Sequence, residues 1–284
     1  MELQAGQTAL VTGAGSGIGR ALALAFRAAG LNVVATDVNA AALEALSAET
    51  VADGVLASFH TTLLDVRDAA AVEALAAGLE ASGGIDVLCN NAGVLVPRPL
   101  WEHGDAEWRW LFDVNVHGVM NGIRAFVPRL LASGRPAHIV NTCSMGGFLA
   151  SPMLGAYGAT KFAVRALTES LHYDLRLRQS KIGVSLLAPG AVKTGIFDGR
   201  TGVTAADAAS ESAREMMRQG TAASGMEPAA LAALVLAAIR ADRYWIFPHG
   251  YMLPAVTENA AAVVAMQTPV FDFARAWKTG GDSP

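Results

Sequence analysis

Short, nearly unbroken apolar runs alternate along the chain with longer stretches whose apolar residues recur at helical spacing. The runs at 8–12, 32–37, 56–64, 87–89, 138–142, 183–187 and 244–247 read as strands. The stretches near 18–29, 40–52, 69–81, 105–132, 156–179 and 228–241 read as helices. Strands that are apolar throughout are covered on both faces. Regular alternation of strand and helix predicts βαβ units, and hence an α/β fold built on a doubly wound parallel sheet. Two segments stand outside this rhythm. Residues 193–226 are small and polar, with a short helix expected near 205–219. The tail beyond Phe247 carries Tyr251, Met252, Leu253 and an apolar run at 260–266. The expected organisation is one domain over 1–250 that includes the 193–226 loop, followed by a C-terminal extension over 251–284.

Charged residues are 16% of the 284 and hydrophobic ones 52%, which excludes a disordered chain. The net charge of −4 and the lack of a Lys/Arg run exclude a basic nucleic-acid footprint. So much apolar material points to a homo-oligomer, a tetramer or dimer. Cys89 and Cys143 cannot build a disulfide framework and read as buried thiols. Glu2 stands where a secretion signal would be basic. The uncharged stretch 137–160 contains Asn141, Ser144, Ser151, Pro152 and several glycines, so it is no membrane helix. A soluble, reducing, cytoplasmic setting follows, with a small molecule rather than nucleic acid or membrane as partner. The six histidines have no metal-ligand spacing, so no metal is expected.

The first expected strand ends in Thr12-Gly13-Ala14-Gly15-Ser16-Gly17-Ile18-Gly19, and a helix follows. Glycines let the backbone turn sharply, and the helix N-terminus then offers free N–H groups to a pyrophosphate. The register is G-x-x-x-G-x-G at Gly13, Gly17 and Gly19, not G-x-G-x-x-G. Asp37 closes the second strand, 18 residues after Gly19, where a carboxylate accepts from both ribose hydroxyls and repels a 2′-phosphate. This favours NAD over NADP.

Tyr157 and Lys161 lie four apart on one helix face. An ammonium beside a phenol stabilises phenolate, which makes a general base or acid. Such pairs are common on surface helices, so context decides. Ser144 follows the strand at 138–142, at the carboxyl edge of a parallel sheet, where ligands bind. Asn115 falls within the apolar stripe of Trp108, Leu111, Phe112, Val116, Val119 and Ile123, and a buried amide must find partners.

These residues, with Asn90-Asn91-Ala92-Gly93 and Pro189-Gly190, stand in the order found in short-chain dehydrogenases/reductases of the classical type, which the chain resembles over about residues 5–195. The resemblance weakens beyond Gly195, where Trp245-Ile246-Phe247-Pro248-His249-Gly250 replaces the family's Gly-rich ending. Cys143 replaces a frequent second serine. The resemblance implies a seven-stranded Rossmann sheet with NAD along its carboxyl edge. Ser16, Gly17, Ile18 and Gly19 would line the pyrophosphate turn. Asp65 and Val66 would lie at the adenine, and Asn91, with Ala92 and Gly93, near the nicotinamide ribose. The segment from Pro189 and Gly190 through Val192 to Thr194 would hold the carboxamide.

The chemistry this implies is interconversion of an alcohol and a ketone. Tyr157 exchanges the proton, Ser144 holds the substrate oxygen, and Lys161 tunes Tyr157 and bonds the ribose. Asn115 positions a water for proton relay. Candidate substrate contacts are Leu95, Val96, Gly146, Phe148, Leu149, Met153, Leu154, Ile196 and Phe197, most of them bulky and apolar. No Arg or Lys lies between Ser144 and Tyr157, which favours a hydrophobic aryl or alicyclic substrate, although Arg98, Lys193 and Arg200 are within reach along the chain. The intact tetrad argues against a non-catalytic NAD-binding regulator. The glycine spacing and short C-terminal region argue against an epimerase or dehydratase on the same fold.

Overall fold

A computed structural model describes residues 1–51, 57–198 and 208–271. The expected strands form as β1 (Thr8–Thr12), β2 (Asn32–Asp37), β3 (Phe59–Leu63), β4 (Val87–Asn90), β5 (Ala137–Thr142), β6 (Ile182–Leu187) and β7 (Trp245–Ile246). All pair in parallel, in the order β3-β2-β1-β4-β5-β6-β7. The chain winds outward from β1 to β3, crosses back to lay β4 beside β1, and winds outward the other way. Strand order therefore reverses between β1 and β4, and the crevice beyond their carboxyl ends is where such a sheet receives a ligand.

The inner strands β1, β2, β4, β5 and β6 bury both faces. Ala9, Val11, Val33, Ala35, Val87 and Cys89 pack against Leu22 and Phe26 of α1 (Gly17–Ala28). Leu231 and Val235 of a further helix, Pro228–Arg240, complete that layer. Leu10, Val34, Leu88 and Ile139 point the other way. They meet Val72 and Ala76 on the helix Ala69–Ala81, Phe126 and Leu130 on Gly118–Ser133, and Leu171 and Leu175 on Gly155–Leu177. At about 1.5–3 kcal/mol per fully buried large aliphatic side chain, these two layers hold the sheet rigid beneath the crevice. In chain order the helices are α1, α2 (Ala40–Val51), α3 (Ala69–Ala81), α4 (Asp105–Phe112), α5 (Gly118–Ser133), α6 (Gly155–Leu177), α7 (Ala208–Ser224), α8 (Pro228–Arg240) and α9 (Leu253–Val264).

The structure corrects four expectations. The helix expected over 105–132 is two helices, α4 and α5, joined by a π turn at Asp113–His117. The extra residue of a π turn shifts the phase of the apolar stripe. Trp108, expected on the buried stripe, is accordingly 37% exposed and stacks on Phe112 with ring centroids 5.2 Å apart. The last strand shrinks to two residues, because Phe247 turns away to pack edge-on against Phe148. The strand expected from 56 begins at Phe59, and position 56 lies outside the described residues. Beyond Phe247 the tail is helical through α9, and Leu253 opens that helix. Arg200 also lies outside the described residues, as do the rest of 199–207 and 272–284.

Candidate active site

The glycine turn after β1 is a cradle. Gly13 and Gly17 take left-handed φ values of 66° and 51°. A β-carbon at Gly13 would lie 2.8 Å from Ala92 Cα, and one at Gly19 would collide with the Gly13 carbonyl oxygen. Ser16 precedes α1 in extended conformation with no side-chain cap, and the first turn of α1 carries no acidic residue. The N–H groups of that turn are thus left for an anion. Ile18 is partly buried and packs on the core beneath, and the Thr194 side chain lies over Gly17. Asp37 closes the cradle from β2. Its Oδ2 accepts from Gly15 N–H at 2.9 Å and its Oδ1 from Asn39 N–H at 2.9 Å. Lone pairs on both oxygens remain for hydroxyl donors. This cradle fits the pyrophosphate and ribose of a dinucleotide.

Asp65 and Val66 lie beside Asp37, through the bond from Leu64 N–H to the Asp37 carbonyl at 3.0 Å. The Asp65 carboxylate is gripped by Arg67 at 2.6 Å, which holds its pKa below the usual carboxylate range. Val66 is buried against Gly118. Asn91 uses its side chain as a strut. Its Nδ2 donates to the Thr12 carbonyl at 3.0 Å, and its Oδ1 accepts from Thr142 Oγ1 at 3.2 Å. Thr12 Oγ1 accepts from both Asn91 N–H and Ala92 N–H. The strut ties β1, β4 and β5 together at the switch point, leaving backbone rather than the Asn91 amide to face the crevice. Gly93 sits where a β-carbon would be 3.4 Å from Asn115 Oδ1 and 3.5 Å from Lys161 Nζ.

The four expected catalytic residues converge. Tyr157 and Lys161 occupy α6, both buried, with Lys161 Nζ 5.6 Å from the Tyr157 ring centre. Lys161 Nζ donates to the Thr142 carbonyl at 3.0 Å. Ser144 stands just past β5, across Gly146 from the Tyr157 ring. Its hydroxyl accepts from Gly146 N–H at 3.0 Å and donates to the Pro189 carbonyl at 3.4 Å. Asn115, fully buried at the middle of the π turn, accepts from Val94 N–H at 2.8 Å and donates to the Val94 carbonyl at 2.9 Å and to Thr160 Oγ1 at 3.0 Å. Its amide therefore clamps the segment after β4 to α6. Thr160 was not foreseen; its only sequence signal is its place beside Lys161.

Burial governs the protonation of the pair. It pushes the Tyr157 hydroxyl above its ordinary pKa, with the neighbouring Ser144 hydroxyl opposing. It brings Lys161 down to about 8. The ammonium was expected to bring Tyr157 toward neutrality. In this structure burial is the larger influence on the phenol and raises its pKa instead.

The substrate candidates divide. Gly146 lies between Ser144 Oγ and the Tyr157 ring, where its β-carbon would be 3.5 Å and 3.4 Å from them. Leu149, Met153 and Leu154 are half-buried along the segment leading to Tyr157, Met153 with a left-handed φ of 65°. Ile196 and Phe197 form a short turn after Thr194 and are partly open. Leu95 is buried, and Val96 packs with Leu111 and Ala156. Phe148 is buried in a cluster with Phe247 and Met252, under the Arg165 guanidinium at 4.3 Å. Of the nearby cations, Arg98 Nε is 3.3 Å from Glu107 and Lys193 is 2.6 Å from Glu227. Val192 is buried, and its strand-like bridge to Met226 ties the segment after Pro189-Gly190 to the loop before α8. A residue the motifs did not mark, His249, bonds this segment from the tail at Gly190 N–H (3.0 Å) and the Ala191 carbonyl (3.0 Å). No local signal betrays it, because its partners are nearly sixty positions away.

Among the described residues no cluster of His, Cys, Asp and Glu could hold a metal ion, and no helix is long and apolar enough to cross a membrane. Residues 7–202 match the family model described as short chain dehydrogenase. The 1-deoxy-11-beta-hydroxypentalenate dehydrogenase of Streptomyces arenae is 44% identical over 200 residues, 69% of this chain and 70% of that protein. The C alpha-dehydrogenase of a Sphingobium species is 32% identical over 275 residues, 93% of this chain and 87% of that protein. A crystal structure of a short chain dehydrogenase/reductase from Burkholderia phymatum in complex with NAD superposes with a TM-score of 0.91 at 36% identity, covering 96% of this chain and 99% of that one. Other similar structures hold NADP, so likeness alone leaves the choice of dinucleotide open.

Proposed function

The chain belongs to the short-chain dehydrogenase family of oxidoreductases, and from that premise we propose that it is an NAD-dependent enzyme interconverting a hydrophobic secondary alcohol, aryl or alicyclic, with its ketone. The observation that carries the proposal is the meeting of Ser144, Tyr157 and Lys161 at the carboxyl edge of the sheet, beside the β1–β4 switch point. Asp37 supports NAD, because its carboxylate sits against the cradle where a 2′-phosphate would be repelled. The pairing of Arg98 and Lys193 with carboxylates leaves a half-buried apolar lining, which favours an uncharged substrate. The names of the two relatives, both dehydrogenases, fit this reading.

When bound, NAD supplies the hydride acceptor. The protein supplies orientation and proton movement. Ser144 Oγ, held by Gly146 N–H, holds the substrate oxygen and steadies charge that develops there. Tyr157 exchanges a proton with that oxygen: as a buried, protonated phenol it is ready to donate toward a ketone, and in the oxidative direction it must first lose its proton. Lys161, fixed by the Thr142 carbonyl, supplies the positive field that favours this loss. Asn115 keeps the segment after β4 against α6, and we assign it the water that relays the proton outward. We also propose that the protein is a cytoplasmic homo-oligomer, which its two buried, unpaired cysteines and exposed apolar helix surface support.

The decisive experiment is an activity screen with NAD and NADP side by side across aryl, alicyclic and steroid-like alcohols, on wild type and Tyr157→Phe. Wild type should prefer NAD, and loss of the phenolic proton donor should cost at least about 10²–10⁴-fold in turnover while NAD binding persists. Undiminished turnover in Tyr157→Phe would refute the assignment. NAD binding without turnover on any alcohol would favour a regulator instead.

A further inference from the structure

The loop that follows β6 is held from an unexpected side. His249 lies on the segment after β7, only 6% exposed. Its Nε2 faces the Ala191 carbonyl at 3.0 Å, and a carbonyl can only accept, so Nε2 carries the ring proton. Its Nδ1 is then a bare acceptor, and it takes the Gly190 N–H at 3.0 Å. Both partners thus specify one neutral tautomer. Burial favours the same state by lowering the imidazole pKa.

The contact is close-fitting. A β-carbon at Gly190 would lie 2.9 Å from Met252 Sδ and 3.1 Å from His249 Cγ, so any larger residue would push on the tail there. Met252 also joins the cluster of Phe148 and Leu149. On its other side the same turn meets the catalytic serine: the Pro189 carbonyl accepts from Met145 N–H at 2.9 Å and from Ser144 Oγ at 3.4 Å. One turn therefore connects His249 with Ser144.

We propose that His249 is a positioning residue, a neutral imidazole by which the C-terminal segment sets the Pro189–Ala191 turn and, through it, the seat of the nicotinamide end of NAD and the Ser144 hydroxyl. This rests on the reading of 189–194 as the cofactor's carboxamide segment. The two bonds are unequal. The Ala191 carbonyl also accepts from Met226 N–H at 3.0 Å, so it keeps a partner if the imidazole goes. The Gly190 N–H has the imidazole as its acceptor, and its loss should matter more.

Three variants of the full-length protein separate these contributions. His249→Asn keeps an acceptor near Nδ1, His249→Gln keeps a donor near Nε2, and His249→Phe keeps ring volume and neither bond. Each is assayed for NAD and NADH affinity by fluorescence titration and for kcat and KM with an alcohol that wild type oxidises. His249→Phe should weaken NAD binding about tenfold, the effect expected of one orphaned buried donor, and lower kcat. His249→Asn should recover to within about threefold of wild type, and His249→Gln should resemble His249→Phe. If His249→Phe fails to fold, the comparison of Asn with Gln still decides, and equal NAD affinity in those two would overturn the proposal. So would a folded His249→Phe with wild-type affinity and kcat, which would leave the oxidoreductase reading standing. A wild-type protein that binds neither NAD nor NADH would overturn both together.

Discussion

Lys161 shows what the site costs at the scale of one residue. Its pKa of about 8 lies below the ordinary 10.5 because burial disfavours the ammonium. The sign of the stability term follows. Below pH 8 the lysine is charged in folded and unfolded chains alike, and the fold bears the full penalty, at most about 3 kcal/mol. The penalty fades as pH rises from 8 to 10.5, because the folded chain is then neutral already. Lys161→Met, similar in length and uncharged, should therefore raise the melting temperature at pH 7 while turnover collapses, with a smaller gain at pH 10. A lower melting temperature for that variant at pH 7 would contradict the argument. Legibility at this scale was uneven. Tyr157, Lys161 and Ser144 were visible because spacing along one helix and one strand end brings them together. The partners that hold Lys161 and Ser144, the carbonyls of Thr142 and Pro189 and the Gly146 N–H, are backbone groups, which any residue could supply. The sequence also could not show how deeply Tyr157 and Lys161 are buried, which moves both pKa values.

Between elements, His138 on β5 joins two strands. Ser185 Oγ on β6 donates to the Arg243 carbonyl at 2.7 Å, so its contact with His138 Nε2 at 2.8 Å makes the imidazole the donor. His138 Nδ1 is then unprotonated, 3.7 Å from Asp242. Ser, His and Asp stand in the order of a nucleophilic triad, yet the serine proton points away from the imidazole, so the group is structural. Burial lowers the His138 pKa from 6.5 to about 4, with Asp242 opposing. The stability this contributes is complete above pH 6.5 and is lost as pH falls toward 4, up to about 3 kcal/mol. Urea unfolding from pH 7 to 4 should show this loss in wild type and a flatter dependence in His138→Gln; parallel curves would dismiss it. The π turn is the other lesson at this scale. Asn115 in an apolar stripe signalled something unusual, but periodicity could not reveal that the helix breaks there. The break exists because the Asn115 amide reaches across to Val94 and Thr160, contacts made only after β4 and α6 are in place.

For the whole molecule, the parallel sheet places every βα loop at one edge, so a cradle after β1, a serine after β5 and a tyrosine on α6 share one crevice. Apolar side chains remain outside it. Phe162, Tyr173 and Leu177 on α6 are 41%, 62% and 83% exposed, and Val263 and Val264 on α9 are 70% and 84% exposed. These side chains support the proposed contact between copies. Light scattering should give a mass of two or four copies of the 29.4 kDa chain, and Phe162→Glu with Leu177→Glu should shift it downward with the fold retained. A wild-type mass of one copy would sink the expectation.

By itself the sequence determined the alternation of strand and helix, the glycine cradle, Asp37 and the pairing of Tyr157 with Lys161. Each is written in spacing along one element, and spacing survives without a third dimension. Tertiary structure alone decided the Asn91 strut, the Asn115 clamp, the burial of Tyr157 and the grip of His249 on Gly190. Those depend on which distant segments meet and how much water is excluded where they do, quantities that come into being only when the sheet closes.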